Sequence, residues 1–229
     1  MFANTKTKMN NDHLEQIKLN LRDNAINKRK NALDELAKMS PNDALPVLKQ
    51  LAQDHDFALR KIAVMGFGNH LTEESFHLLK HILETEKDSN VLAEAANSIF
   101  EFGDRAIEPL QNLYTSCENW LVRQTVISII VDSNNPQILL KVAKQALSDE
   151  DQTTKETGIL ALSRLLNSPL KEEALEIFSI LAEDPFWRTR WRTAISLTVS
   201  QDEKAKLILA KLQQDEHYRV VAAALERPK

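Results

Sequence analysis

Glycine is scarce in this sequence of 229 residues, with isolated single residues at positions 66, 68, 103 and 158. No glycine-rich loop is therefore present to cradle a phosphate group, and the Gly-x-Ser-x-Gly nucleophile elbow is missing. The six histidines form no His-Glu dyad of the kind that iron hydroxylases built from helical repeats require. His77 and His81 are four residues apart, but a suitably placed third metal ligand is missing. We therefore predict no metal site and no catalytic residue, and the sequence favours a binding protein over an enzyme.

Cysteine, long apolar runs and an excess of basic residues are also scarce or missing. The single Cys117 excludes an internal disulfide framework and fits a reducing cytoplasm. No apolar run approaches the ~18 residues of a membrane-spanning helix, and the first residues lack the apolar centre of a signal peptide. We expect a disordered lead-in at residues 1–11, one repeat domain at residues 12–229, a cytoplasmic location and no membrane insertion. The formal net charge of −4 argues against nucleic-acid binding.

The sequence is rich in apolar residues that recur with the period of an α-helix. A triplet of residues with i, i+4, i+8 spacing occurs six times, and successive copies are about 30 to 35 residues apart. The residue at the middle position is small in most copies. This spacing fits two short antiparallel helices and two tight turns. The triplets are Lys28/Ala32/Leu36, Leu59/Ala63/Phe67, Leu92/Ala96/Phe100, Val122/Val126/Ile130, Thr154/Gly158/Leu162 and Thr189/Thr193/Leu197.

The triplets mark the second helix of each pair, and the first helices are predicted between them. Their N-termini carry capping residues, which are Thr72, Asp202, and the Asn and Ser of Asn135-Pro136 and Ser168-Pro169. The predicted first helices are Asp43–Gln53, Thr72–Thr85, Asp104–Thr115, Pro136–Leu147, Pro169–Ala182 and Asp202–Gln213.

Charges follow the same repeat. A basic residue comes directly after most triplet starts, at Arg29, Arg60, Arg123, Lys155 and Arg190. An acidic residue precedes the triplet start by five positions, at Asp23, Asp54, Asp149 and Asp184, and is displaced at Asp88 and Glu118. We expect ion pairs between the turn of one unit and the basic residue of its neighbour.

The repeated unit resembles a HEAT repeat in two features, a proline in the first helix and an Asp…Arg/Lys pair around the second helix. The residues that define tetratricopeptide and ankyrin repeats are missing. The predicted fold is all-α, a right-handed α-solenoid of about six short HEAT-like helical hairpins.

Aromatic residues form a further pattern. Phe57, Trp120 and Trp187 stand two residues before a triplet start, and Trp191 follows one by two. Tyr218 stands two residues before Val220, in the incomplete copy at the end of the sequence. On a helix these positions point away from the buried triplet. They either pack between neighbouring units or form a binding surface. The segment Asp184–Leu197 favours binding, since Trp187, Arg188, Trp191 and Arg192 suit a flat, anionic or conjugated ligand or a protein partner.

Three segments resemble the cyanobacterial NblB family of phycobilisome degradation proteins, which is related to the heterodimeric phycocyanobilin lyases. The segments are Leu110-Gln-Asn-Leu-Tyr114, Glu118-Asn-Trp-Leu-Val122 and Asp184-Pro-Phe-Trp187 with Arg190-Trp-Arg192, and the likeness extends in register from about Arg22 to Ala224. Phe67, Phe100 and Ile130 depart from the leucine that is commoner in the family.

The resemblance implies binding of phycobiliproteins such as phycocyanin and allophycocyanin, or of their bilin chromophores, during antenna degradation. It further implies the small adaptor NblA as a partner, a location at the cytoplasmic face of the thylakoid, and a non-covalent ligand such as phycocyanobilin or another tetrapyrrole. Trp187 and Trp191 would stack on the pigment or its carrier protein, Arg188 and Arg192 would pair with propionates, and Trp120 and Arg123 would extend the surface.

Two alternatives remain open. One is a generic HEAT-repeat scaffold for protein partners without a pigment ligand. The other is an enzyme on nucleic acid, because some helical-repeat DNA glycosylases use tryptophans and an aspartate; the acidic balance of this chain counts against it.

Overall fold

The fold was analysed in a computed structural model that describes residues 2–226, with side chains from Asp12 onward. These residues form α-helices joined by short turns, two 3-10 turns at Gly103–Ala106 and Leu165–Asn167, and no β-strand. The helices are α1 (Phe2–Leu21), α2 (Ile26–Leu36), α3 (Pro41–Ala52), α4 (Phe57–Asn69), α5 (Glu73–Thr85), α6 (Ser89–Phe100), α7 (Ile107–Ser116), α8 (Trp120–Asp132), α9 (Pro136–Leu147), α10 (Gln152–Arg164), α11 (Lys171–Leu181), α12 (Trp187–Leu197), α13 (Glu203–Leu212) and α14 (Tyr218–Leu225).

The chain divides into two compact units, one ending at Leu113 and the other beginning at Tyr114, so the boundary falls inside α7. In the first unit, α1 packs on α2, α3 on α4 and α5 on α6, and α4 also packs against α2 and α6. In the second unit, α9 packs on α10, α11 on α12 and α13 on α14. The second helices of these hairpins also form a row, in which α10 contacts α8 and α12, and α12 contacts α14.

The predicted fold class, an all-α arrangement of short helical hairpins, is confirmed. The single domain predicted for residues 12–229 stays a prediction. The lead-in predicted at residues 1–11 falls largely within the stretch assigned to α1 but outside the side chains that are described, and it stays a prediction too.

Three of the four helix starts predicted from a capping residue, those at Thr72, Asn135 and Asp202, agree with the structure to within one residue. Thr72 accepts a hydrogen bond from the backbone N–H of Ser75, and Asn135 accepts one from Ile138. Ser168 was wrongly placed as the N-cap of a helix beginning at Pro169. A 3-10 turn precedes Ser168, whose hydroxyl accepts from the N–H of Leu170, and α11 begins only at Lys171.

The repeated triplets form the core of the hairpins. Most positions are buried, including all six middle positions, while Lys28 is exposed and Phe100 is half-buried. Gly158 shows why a middle position is small: a Cβ atom built there would lie 2.5 Å from the Cβ of Ala146. Helix α10 therefore approaches α9 more closely at this point than a side chain would allow.

Ion pairs of the predicted kind join neighbouring turns at three places, and one of them, Arg123 with Asp149, joins two of the predicted residues. In each, the arginine donates to a carbonyl of the turn before its own helix and to the carboxylate of the next turn along the row. The pairs are Arg60 with Glu86, Arg123 with Asp149 and Arg190 with Asp215. For Arg60 the partner is Glu86 and not Asp88, because Asp88 instead caps the N-terminus of α6.

Among the described residues, no helix has both the length and the apolar character needed to cross a membrane.

Candidate functional site

Helix α12 presents two chemically different sides. Thr189, Thr193 and Leu197 are buried on one side, as the triplet pattern predicts. Trp187 and Trp191 are half-buried on the other side, with ring centroids 6.4 Å apart. Because α12 packs between α10 and α14, its outward side lies next to groups from both neighbours.

The indole of Trp187 begins a series of rings that continues into the next hairpin. The imidazole of His217 lies parallel to it, with an interplanar angle of 2° and a centroid distance of 4.0 Å. The phenol of Tyr218 follows His217 at 5.2 Å and 16°. We call Trp187, Trp191, His217 and Tyr218 the aromatic stack. It ends on Tyr218, whose residue surface is 71% exposed.

Trp187 owes its stacked position to the capping residue of the following hairpin. His217 is the N-cap of α14, where its Nδ1 accepts from the N–H of Arg219. The corresponding caps after Phe57 and Trp120 are Asp88 and Asp151, which carry no ring. Phe57 and Trp120 therefore remain about half exposed, at 47% and 50%.

A buried carboxylate holds the two arginines that flank the tryptophans. Glu156 on α10 is 5% exposed. Its Oε1 accepts from Nε of Arg188 at 2.8 Å, and its Oε2 accepts from Nη2 of Arg192 at 2.6 Å. Two positive charges thus share one negative charge, so that these three side chains together carry an excess of one positive charge.

The surroundings of Glu156 keep it ionised. Burial raises the pKa of this carboxyl, but the hydrogen bonds from Arg192 and Arg188 outweigh burial, so that its pKa lies below the ordinary value. The charge on Glu156 therefore fixes α12 to α10 at the level of the tryptophans. The guanidinium of Arg192 in addition lies over the ring of Trp191, 4.5 Å from its centroid.

Arg190 is one of the arginines that join the turns of neighbouring hairpins. It is 8% exposed and donates to both carboxylate oxygens of Asp215, at 2.6 and 3.0 Å, and to the carbonyls of Asp184 and Pro185. Its hydrogen bond lowers the pKa of Asp215 below the usual aspartate value. Arg190 thus anchors the turn before α14, which carries His217.

Trp120 and Arg123 lie on α8, which is separated from α12 by α10 in the row of second helices. Trp120 is exposed at the first turn of α8. Nε of Arg123 donates to the carbonyl of Cys117 at 2.7 Å, and its Nη1 donates to Asp149 at 2.5 Å. Arg123 therefore occupies the same framework position as Arg190, and its predicted role in ligand binding stays a prediction.

Three residues of this site were not singled out from the sequence as site residues. They are Glu156, His217 and Arg219. Sequence signals existed: Glu156 follows a triplet start by two positions, as Trp191 does. His217 replaces the acidic or amide residue that caps α4, α6, α8 and α10. Arg219 stands one position before Val220, which is buried, so the helical period places it at the edge of the exposed side.

The side chains of this site can make stacking, cation–π and charge-assisted contacts. It offers flat apolar rings, a bridged pair of guanidinium groups and a further exposed guanidinium on Arg219. Within the described part of the chain, no group of three His, Cys, Asp or Glu side chains is placed to hold a metal ion.

Comparison with known proteins bears on the fold. Residues 14–100 match the family model for HEAT repeats, which confirms the predicted HEAT-like hairpins in that part of the chain. No curated protein is significantly similar to this sequence.

Three solved structures are similar to this chain to different degrees. The Escherichia coli protein YibA is 15% identical with a TM-score of 0.63, covering 91% of this chain and 79% of YibA. A mutant of Kap121p is 16% identical with a TM-score of 0.51, covering 93% of this chain and 28% of Kap121p. The complex of CpcE and CpcF of phycocyanin lyase from Nostoc is 14% identical with a TM-score of 0.48, covering 92% and 91%. The first two similarities show the fold alone, and the third score is too low to support an argument.

Proposed function

We propose that this HEAT-like helical scaffold binds phycobiliproteins through their bilin chromophores and assists the degradation of the light-harvesting antenna or the detachment of the chromophore. The observation that carries the proposal is the aromatic stack, a partly exposed series of rings with an excess of positive charge beside it. A linear tetrapyrrole is flat, conjugated and anionic through its propionates, so its shape and charge are complementary to such a surface.

The resemblance to NblB supports the same ligand class, because two of its segments contain tryptophans that lie outside the core. Glu118–Val122 contains Trp120, and the segment from Asp184 to Arg192 contains Trp187 and Trp191. In this proposal the pigment lies against Trp187 and Trp191, and its carrier protein extends along the row of second helices towards Trp120. NblA would act as an additional partner, and binding would take place at the cytoplasmic face of the thylakoid.

The arginines of α12 have a defined part in this proposal. Arg188 is 45% exposed in its side chain and Arg192 is 21% exposed, and both donate to Glu156. Because they share a single carboxylate, they retain the net positive charge that attracts an anionic pigment. Their geometry towards Glu156 also keeps the indoles of Trp187 and Trp191 in place.

A titration with phycocyanobilin and with phycocyanin tests the proposal. We expect the visible absorbance of the pigment to change and the tryptophan fluorescence of the protein to be quenched. The double variant Trp187→Ala/Trp191→Ala should lose most of the binding, because base-sized aromatic stacking is worth about 1–3 kcal/mol per ring. Phe57→Ala is the matched control: Phe57 also begins a second helix and is 47% exposed, but it lies in the other compact unit.

The alternative of a scaffold for other proteins makes the opposite prediction. In that case neither pigment nor phycocyanin changes the spectra, and affinity purification from the native host recovers other proteins without pigment. Unaltered binding by the Trp187→Ala/Trp191→Ala variant would likewise count against the proposed site.

A further inference from the structure

Arg219 differs from the other arginines around the aromatic stack because it forms no ion pair with any carboxylate among the described residues. Arg188 and Arg192 share Glu156, and Arg190 is paired with Asp215. The exposed Glu216 also faces Arg190 and not Arg219. Arg219 itself is exposed.

Aromatic rings hold this unpaired guanidinium in position. Its carbon lies 5.5 Å from the ring centroid of Trp187 and 5.7 Å from that of Tyr218. Nε of Arg219 donates to the phenol oxygen of Tyr218 at 3.1 Å. Since Nε is used in this bond, the two terminal nitrogens remain for a carboxylate or sulfonate, which they can bind in a bidentate manner.

We propose that Arg219 is the residue that selects a negative charge on the ligand of the aromatic stack. An anionic group of a flat conjugated molecule would pair with the terminal nitrogens of Arg219 while the molecule's plane lies against the neighbouring rings. This inference rests on the proposed function for the place of the ligand, and it goes beyond that function by assigning charge selection to a residue outside α12.

The arginines differ in the interactions that they lose when an anion binds. An anion that approaches Arg188 or Arg192 competes with the buried carboxylate of Glu156, which holds these groups at 2.8 and 2.6 Å. An anion that approaches Arg219 displaces water and no carboxylate of the described residues. A guanidinium is weakly hydrated, so the cost of removing that water is small compared with the charge-assisted hydrogen bonds that form.

Two small probes of the same shape and different charge test this inference without a bilin. They are 1-pyrenesulfonate, which is anionic, and 1-pyrenemethanol, which is neutral, and their binding to the full chain is followed by quenching of tryptophan fluorescence. We expect the wild type to bind the sulfonate about tenfold more tightly than the alcohol, as one charge-assisted interaction allows. Arg219→Gln should abolish this preference by lowering the affinity for the sulfonate to about that for the alcohol.

Arg188→Gln is the matched control, because it removes the same charge from the same surface. It should reduce the preference by less than about threefold, since only the long-range attraction is lost. Arg219→Lys should give an intermediate preference, because a lysine keeps the charge and lacks the planar fork. Circular dichroism confirms that each variant is folded.

Several outcomes would overturn the inference. They are the absence of sulfonate binding by the wild type, equal affinities for the two probes, and equal losses in Arg219→Gln and Arg188→Gln. The proposed function is judged separately by the titration with phycocyanobilin and phycocyanin. If the chain prefers the sulfonate through Arg219 but binds neither phycocyanobilin nor phycocyanin, the inference holds and the proposed function is wrong.

Discussion

The imidazole of His217 lies parallel to the indole of Trp187 at 4.0 Å, although the two residues belong to different hairpins. His217 also caps α14 with its Nδ1. One side chain thus both starts a helix and covers one face of a tryptophan on the neighbouring helix. The stacked pair ties the position of Trp187 to the turn before α14.

His217→Asn separates these two roles, because asparagine is a good N-cap but has no ring to stack. We expect the free energy of unfolding to fall by about 1 kcal/mol, the typical value of an aromatic pair beyond its buried area. The tryptophan emission should shift to longer wavelength as the indole of Trp187 becomes more exposed. Chemical denaturation monitored by fluorescence measures both effects.

His55→Asn is the control for that experiment. His55 is exposed in a turn of the other compact unit and should tolerate the change within about 0.5 kcal/mol. If both variants leave stability and emission unchanged, the stacking of His217 on Trp187 has no energetic importance.

Arg190→Lys is expected to destabilise the chain strongly despite keeping the charge. Arg190 donates to two carbonyls and to both oxygens of Asp215 while almost fully buried, and an ammonium group cannot reproduce this fork. We expect a loss of about 2–4 kcal/mol, since breaking buried charged pairs costs on the order of 3–5 kcal/mol. Thermal unfolding followed by circular dichroism gives the value.

Lys206→Ala is the matched comparison for Arg190→Lys. Lys206 pairs with Glu203 within the exposed first turns of α13, and such pairs contribute about 0.3–0.5 kcal/mol. Equal losses in the two variants would mean that the buried position of Arg190 is unimportant.

The pairing of Arg190 with Asp215 also predicts a pH dependence. The hydrogen bond from Arg190 holds the pKa of Asp215 below its usual value. The resulting stabilisation is complete above about pH 3.9, the ordinary pKa of an aspartate in an unfolded chain, and is lost as pH falls towards the lower pKa of the folded state. The difference in stability between the wild type and Asp215→Asn should therefore be constant between about pH 5 and 7 and shrink below about pH 4.

Denaturant titrations of both proteins across this range measure that difference. A difference that stays constant down to strongly acid pH, or that grows there, would show that the charge of Asp215 does not stabilise the fold.

Gly158→Ala should destabilise the hairpin of α9 and α10 although alanine favours helices. The new Cβ would lie 2.5 Å from the Cβ of Ala146 and 3.3 Å from the carbonyl oxygen of Ala143, so the two helices would have to move apart. Such overpacking costs about 1–3 kcal/mol. Thr153→Ala, an exposed position of the same helix, should be neutral or stabilising, and differential scanning calorimetry distinguishes the two. A stabilised Gly158→Ala protein would contradict the close approach.

Local patterns in the sequence were sufficient to predict the hairpins. The helix predicted at Pro136–Leu147 has the same bounds in the structure, because Asn135 and Pro136 specify its first turn through a side-chain cap and a fixed φ. The outward direction of Phe57, Trp120 and Tyr218 also follows from the helical period, and all three are exposed. At Ser168 the same reasoning failed, because a 3-10 turn before it delays the helix.

The sequence by itself therefore determined that this protein is built of helical hairpins, which side of each helix is buried, and that tryptophans and arginines of α12 lie outside the core. These properties depend on spacing along one helix, which is fixed by 3.6 residues per turn. Only the tertiary structure decided that Glu156 neutralises part of the charge of Arg188 and Arg192, that His217 covers Trp187, and that Arg219 has no carboxylate partner among the described residues. These contacts join residues of different helices, and they depend on how α10, α12 and α14 are aligned side by side, which the periodicity of each separate helix does not specify.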